Sequence, residues 1–493
     1  VDSQLTKEEF ENEEYSEASK PMDFPRGTPQ VLAQRRLVTA RRQSLSHIDE
    51  MQNNKKEQFI RHVSTLNKSF YEWYKNLMPN LTDAESNCDL VDGFQDYIDY
   101  ATELEDRFLR SYGEVLTFGS GDCGQLAHGI ENDEDLMVKY PRIVYTLRDK
   151  KVYGISCGGI HNAAYTATGQ VYTWGCADDG ALGRVGEEFT PLLVEGLANE
   201  TIIGVDCGDC HTVAVSIKGE VWGWGCYKDK EGKKFFNPSK TAANPMKDMK
   251  KQQDVPLLIQ GLPANIVAVA SGAVFNLARS ADGRIYSWGL GECGELGREV
   301  PEMKKTVTID GEQQKDYDLP SILKHHITPD FMYTAPNTPI GDVKSFGCGA
   351  YHSMVITVGD VVYACGLNNY GQLGLGQKKT NNGAVADTDN RSWLTRVTSL
   401  DDKGIVCVKG GVHHSLALSS KGSLWAFGRS DSGQLGCSSR TSSSAGDFSS
   451  SPVSPALPAN TIVTSIACGG NHNLVLTDGN AVYTWGYGDM LAL

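Results

Sequence analysis

Val171-Tyr-Thr-Trp-Gly-Cys-Ala-Asp-Asp-Gly-Ala-Leu-Gly-Arg184 is the stretch on which the fold turns. A short alternating run ends at a Gly, a few small or polar residues lead to a second Gly, and a Leu follows. The chain writes this pattern seven times, with its first Gly at Gly119, Gly175, Gly225, Gly289, Gly366, Gly428 and Gly486. The spacing wanders around roughly sixty residues, longer than solenoid repeats and near the propeller-blade range. Such a period implies a ring or a stack of similar units. Arg284-Ile-Tyr-Ser-Trp288 and Ser423-Leu-Trp-Ala-Phe427 show the alternation of a half-buried strand. Lys218-Gly219, Asp282-Gly283 and Lys421-Gly422 supply the turn before it, because Gly accepts a positive φ.

A second strand precedes that turn and has its own signature. It is marked by Cys157-Gly-Gly-Ile-His161, Cys207-Gly-Asp-Cys-His211, Cys348-Gly-Ala-Tyr-His352, Gly410-Gly-Val-His-His414 and Cys468-Gly-Gly-Asn-His472. One further unit, Ser271-Gly-Ala-Val-Phe275, lacks the His. Small residues there let inner strands approach closely around a central axis. No repeat has helical periodicity. The reading is therefore all-β: a seven-bladed β-propeller over residues 113–493. Seven copies of the first pattern meet only six of the second, because the last copy is cut at Asp489-Met-Leu-Ala-Leu493. A fragment is expected, with an incomplete last blade and an open edge.

Length alone, at 493 residues, suggests about three domains. The repeat overrides that prior. A formal net charge of -15 argues against a protein coated with phosphate-binding cations and favours basic protein partners or local basic tails. The 13 cysteines follow no disulfide spacing; Cys157, Cys207, Cys348 and Cys468 recur in register, as small buried residues of a reducing compartment do. No apolar run approaches the roughly 20 residues of a membrane span, and the acidic start is no signal peptide. A soluble intracellular protein is expected.

Ahead of the propeller the composition changes three times. Residues 1–28 are acidic, without apolar period, and read as a disordered tail. Residues 29–43 carry two basic pairs, Arg35-Arg36 and Arg41-Arg42, suited to the acidic groove of a nuclear-import receptor, to nucleic acid, or merely to a charged helix start. Residues 55–110 read as a helical hairpin: Ile60, Val63, Leu66, Phe70, Trp73 and Leu77, then Phe94, Tyr97, Ile98, Ala101, Leu104 and Phe108, recur at helical steps. Two such helices have little core of their own. They serve either to dock on a partner or to cap the propeller's edge.

Several motifs fail on context. Gly119-Ser-Gly-Asp-Cys-Gly124 and Gly289-Leu-Gly-Glu-Cys-Gly294 imitate a dinucleotide fingerprint, but no helix follows and acidic residues sit where a pyrophosphate would lie. Cys207-Gly-Asp-Cys210 is half a zinc site with no second half. Neither metal nor cofactor is expected, and no nucleophile with a base can be assembled. The stretch that breaks the repeat is the better candidate. Val221-Trp-Gly-Trp-Gly-Cys-Tyr-Lys-Asp-Lys-Glu-Gly232 loses the Gly-x-Leu closure and is expected to project as a charged hairpin with Gly232 at its turn. Asp209 stands nearby, where other units have Gly159 and Gly470. The doubled His413-His414 is singular among these strands and points one imidazole towards the ring's mouth. Residues 300–332 and 437–454 are further interruptions, one charged and one rich in Ser.

With those residues in hand, the chain from Gly113 resembles the regulator of chromosome condensation family, propellers that exchange guanine nucleotide on the small GTPase Ran. The matching stretches are Val171 to Arg184, Trp224 to Gly232, and Gly347-Cys-Gly-Ala-Tyr-His352 followed by Gly366-Leu-Asn-Asn-Tyr-Gly-Gln-Leu-Gly374. The resemblance implies a wedge against the GTPase at Tyr227, Lys228, Asp229 and Lys230, an axial carboxylate at Asp209, and a functional pair at His413 and His414. The family's second Asp is Val274 here, beside Phe275, a departure that bears on exchange efficiency. It also implies a nuclear location and docking on core histones. The segment before it is similar to nuclear-basket nucleoporins that bind importin-α, on Leu66-Asn-Lys-Ser-Phe70, Trp73, Cys88-Asp-Leu90 and Phe94-Gln-Asp-Tyr97. That likeness implies importin binding through Arg35, Arg36, Arg41 and Arg42. A Ran exchange factor tied to importin-α or the nuclear pore basket is the leading reading; a non-catalytic scaffold is the rival.

Overall fold

Six runs that open on a branched aliphatic residue form the innermost strands of a β-propeller: Val152–Cys157, Ile202–Cys207, Ile266–Ser271, Val343–Cys348, Ile405–Gly410 and Val463–Cys468. The first residue of each is buried, which pins every strand to its blade. The computed structural model describes residues 112–129, 136–238, 249–309, 312–381, 383–437, 448–489 and 493. The acidic tail, the basic segment with Arg35, Arg36, Arg41 and Arg42, and the helical module at 55–110 lie outside them. Among the described residues no helix is long and apolar enough to cross a membrane.

Each blade is an antiparallel meander. The first runs from Val152–Cys157 through His161–Thr166 and Val171–Gly175 to Leu192–Leu193, and four later blades repeat this four-stranded order. The sixth, Val463–Cys468, His472–Thr477 and Val482–Gly486, has three described strands. Every innermost pair carries a bulge one or two residues in, as between Val152 and Gly154 or Ile202 and Gly204. A bulge sharpens twist, and six at one position let the blades splay around an axis.

The expected seven blades are corrected to six. Counting the strand that ends on Gly gives one unit too many, because the copy at Leu116–Ser120 pairs only with Met137–Ile143 and has no inner strands among the described residues. A blade needs an inner strand to reach the axis, and among the described residues six segments supply one.

The Gly-rich signature is the turn joining each innermost strand to the second, and there the backbones of successive blades touch. Gly159 N donates to Gly208 O, Asp209 N to Ala273 O, Ala273 N to Ala350 O, Ala350 N to Gly411 O and Val412 N to Gly470 O, at 2.9–3.1 Å. A Cβ on Gly158 would stand 2.3 Å from Gly208 O, and one on Gly349 2.6 Å from Gly411 O. Glycine is required by this approach.

Deeper in each joint a side chain of the second strand donates to the loop of the preceding unit: Asn162 to Gln125 O, Thr212 to Ala181 O, Ser353 to Glu295 O, Ser415 to Gln372 O and Asn473 to Gln434 O, at 2.7–3.0 Å. The repeat histidines close these joints from the other side. His161 Nε2 meets Thr212 Oγ1 at 2.9 Å, His352 Nε2 meets Ser415 Oγ at 2.8 Å, and His414 Nε2 meets Asn473 Oδ1 at 2.8 Å.

The joint between the second and third blades is built differently. Blade two has no Gly-x-Leu loop to offer a carbonyl, and the phenol oxygen of Tyr227 takes its place. It accepts from Asn276 Nδ2 at 3.1 Å and Trp288 Nε1 at 3.0 Å, and its proton goes to Asn237 Oδ1 at 3.2 Å. Tyr227 is fully buried. Changing Tyr227→Phe strands two buried donors and one acceptor, so urea denaturation should show a loss of about 2–4 kcal/mol. A variant as stable as the parent would refute this account of the joint.

Candidate functional site

Beyond Gly225 the third strand of blade two leaves its sheet. Tyr227–Lys228 pairs with Lys234–Phe235 as a separate two-stranded hairpin. Asp229 shapes the turn: its Oδ1 accepts from Glu231 N at 2.9 Å and Lys233 N at 2.8 Å. Gly232 takes φ +80°, and a Cβ there would meet open space. A projecting hairpin with Gly232 at its turn is therefore what the chain forms.

Its anchoring differs from the expected wedge. Tyr227, Phe235 and Phe236 are buried, with Tyr227 stacked on Phe236 at 5.2 Å between ring centroids. Tyr227 is thus a root of the hairpin, out of reach of a partner in this conformation. Asp229 is also buried, committed to the turn and to Tyr317, whose hydroxyl donates to Asp229 Oδ2 at 2.6 Å. Lys228 Nζ lies 2.5 Å from Asp179 Oδ2, and Lys234 pairs with the same carboxylate from its other side. Although burial opposes it, hydrogen bonds from Lys228, Lys234 and Cys210 hold the Asp179 carboxyl at about 2. Of the four expected residues Lys230 is the most exposed. Its side chain is 76% exposed and pairs loosely with Glu292 at 3.9 Å.

A second hairpin, Lys304–Ile309 with Glu312–Tyr317, supports the first. Tyr317 packs its ring 5.6 Å from that of Phe235, and Lys304 Nζ reaches Glu231 at 2.5 Å while lying 4.7 Å over the Tyr317 ring. Residues 300–332, read from sequence as an interruption, are thus a buttress. Alternation on both sides of Asp310-Gly311 was the available signal, since that dipeptide suits a tight hairpin turn.

Asp209 occupies the rim turn of blade two, with its backbone in the inter-blade chain. Burial raises its carboxyl above the usual range and the charge of Lys228 opposes that shift; its chain neighbour Cys210 accepts a backbone hydrogen bond from Cys226 N at 2.8 Å, one residue before the hairpin begins. The charges of Asp209, Cys293 and Glu295, after burial, push up the Tyr351 phenol on blade four. The doubled histidine divides. His414, expected as one half of a functional pair, is buried in the joint described above. His413 is half-buried, 5.0 Å from the Tyr370 ring, with Arg429 on that ring and paired to Asp431 at 2.6 Å. No contact among the described residues links His413 to the hairpin. Val274 holds the equivalent position on blade three; Phe275 fills the space of a repeat histidine, and a Cβ on Gly272 would meet its ring at 1.9 Å.

The arrangement defines a class: a β-propeller whose second blade carries a charged, buttressed hairpin next to the turn that holds Asp209. Residues 114–493 match the model of the RCC1-like domain, and the chain belongs to that family. The human regulator of chromosome condensation is 33% identical over 385 residues, covering 76% of this chain and 80% of that protein. The ultraviolet-B receptor UVR8 of Arabidopsis thaliana is 28% identical over 383 residues, covering 76% and 73%. The crystal structure of Prp20p from Saccharomyces cerevisiae, described with its binding properties to Gsp1p and histones, superposes with a TM-score of 0.64 at 23% identity, over 79% of this chain and 85% of that one.

Glu295 makes a sharp test of the loop chemistry. It accepts from Cys293 N at 2.7 Å, as Gln125, Gln372 and Gln434 accept from their own loops at 2.8–2.9 Å. Burial raises its carboxyl from 4.5 to about 8, against the pull of backbone hydrogen bonds. Its folded value lies above its unfolded one, so its stabilising share is complete below about 4.5 and is lost as pH rises through about 8. Glu295→Gln should therefore raise the thermal midpoint at pH 9 and leave it nearly unchanged at pH 4.5. Equal gains at both pH values would contradict the assignment.

Proposed function

We propose that this chain is a guanine-nucleotide exchange factor for the small GTPase Ran. The observation that carries the reading is the hairpin: a charged tip fixed by two aromatic roots and a buttress, next to Asp209, in a chain 33% identical to the regulator of chromosome condensation. A rigid lever of this kind favours the nucleotide-free GTPase over its nucleotide-bound form. Exchange needs only that difference in affinity, so either nucleotide is released faster and no covalent step occurs. In this reading Lys230 and Lys228 touch the GTPase, Asp229 and Tyr227 hold the lever, and Asp209 and His413 line the surface it covers. A non-catalytic scaffold at chromatin or the nuclear pore is the second reading. Val274 and Phe275 favour it, because the resemblance calls for a carboxylate at Val274.

Fluorescent-nucleotide release from purified Ran decides between them. The double variant Lys228→Ala, Lys230→Glu should slow the stimulated release by about thirtyfold, the equivalent of one interface hot spot of about 2 kcal/mol. Release as fast as that given by the parent protein would leave the scaffold.

The same proposal places the protein in the nucleus, with core histones as its chromatin partner and with importin-α or the nuclear pore basket recruited through Arg35, Arg36, Arg41 and Arg42. Paired arginines suit an acidic groove because guanidinium binds carboxylates two-pronged. Arg35→Ala with Arg36→Ala should reduce capture by immobilised importin-α; undiminished capture would dispose of the recruitment claim.

A further inference from the structure

Two cysteines face each other at the root of the hairpin. His211 and Gly225 are the last ladder pair between the second and third strands of blade two, and Cys210 and Cys226 stand one step beyond. Cys226 N donates to Cys210 O at 2.8 Å, which marks them as directly opposed residues. Opposed residues of that type sit about 5.5 Å apart at Cα, inside the range of about 4.4–6.8 Å that a disulfide spans.

The same step in the other blades reads Ile160 with Cys176, Val274 with Leu290, Tyr351 with Leu367, His413 with Arg429 and Asn471 with Tyr487. Blade two alone pairs two thiols. Cys226 shares its register with Cys176 of blade one, whereas Cys210 stands where the other blades have Ile160, Val274, Tyr351, His413 and Asn471. Cys210 is half-buried and reaches solvent beside Asp209; Cys226 is buried. The two thiols influence each other's titration, and Asp179 acts on both. The hydrogen bond from Cys210 lowers the Cys226 thiol, against burial and Asp179, with help from Lys234 and Lys228. A thiolate within reach of a second thiol is the requirement for disulfide formation.

We propose that Cys210 and Cys226 form a redox-sensitive dithiol that a peroxide oxidises to a disulfide, pinning the hairpin's root to the rim turn that carries Asp209. One thiolate attacks the O–O bond of hydrogen peroxide, giving a sulfenic acid and, after proton uptake, one water. The second thiol attacks that sulfur and a second water leaves. Two thiols lose two electrons and two protons; both peroxide oxygens end as water. The consequence for activity rests on the exchange reading, since the cross-link draws the hairpin's root and the turn that carries Asp209 away from the spacing that a rigid lever presents to a GTPase. The disulfide itself does not depend on that reading.

The experiment treats the purified full chain with one equivalent of hydrogen peroxide, blocks with N-ethylmaleimide and maps peptides without reduction. The expected result is a cross-linked peptide joining Cys210 to Cys226, loss of both from the alkylated set, and slower Ran exchange that dithiothreitol restores. Cys210→Ser and Cys226→Ser should each abolish the cross-link and the slowing, whereas Cys468→Ser should keep both. Alkylation of both cysteines after peroxide, or pairing of either with another cysteine, overturns the dithiol. A Cys210–Cys226 disulfide in a protein that exchanges equally well oxidised and reduced overturns its effect on activity. A disulfide in a protein inactive even when reduced supports the dithiol and counts against the exchange reading alone.

Discussion

A single phenol oxygen decides how blades two and three are joined. At five joints a buried donor is answered by a main-chain carbonyl that the repeat provides, but blade two has given up the loop that would carry it. Tyr227 answers two donors at once, and an unanswered buried donor costs about 1–3 kcal/mol. The oxygen also sits in a relay. His211 Nε2 donates to Asn276 Oδ1 at 2.8 Å, Asn276 to Tyr227, Tyr227 to Asn237, and Asn237 Nδ2 to Ile327 O at 2.9 Å. The histidine tautomer follows, because the Asn276 oxygen must accept. The rim, the hairpin and the segment behind the buttress are thereby held by one chain of hydrogen bonds.

Charge adds direction to this frame more than strength. Exposed ion pairs contribute about 0–1 kcal/mol each, so Lys304 with Glu231 does little for stability alone. Asp179 is different: it lies on the loop of the preceding blade, is largely covered, and receives two lysines of one hairpin. Two-point attachment fixes an angle where one would leave a swivel. Apolar packing does the rest, since Tyr227, Phe235, Phe236, Trp288, Ile322 and Ile327 belong to one cluster spanning blades two and three and the insertion.

How far the sequence could be read follows from which signals are local. Strand alternation, the turn glycines and the Gly-rich rim depend on a few neighbouring residues, and they disclosed a propeller and the odd hairpin. Blade number did not follow, because the strand ending at Gly119 carries the motif without the inner strands that make a blade. Tyr227 was misplaced for a related reason: among lysines and acids a tyrosine reads as surface, and its partners Asn276 and Trp288 lie 49 and 61 positions away. His414 stands in repeat register, which would have marked it as structural. Its neighbour His413 is out of register and is the one left near solvent.

At the hub the wheel is sized by peptide groups instead of side chains. Where Gly158, Gly208, Gly349 and Gly411 press on the next blade's carbonyl, even a methyl has no room. Room for a different side chain is found instead at neighbouring positions such as Asp209, Val274 and His413 and in the loops. A lineage can redraw what the face recognises without altering the diameter of the hub.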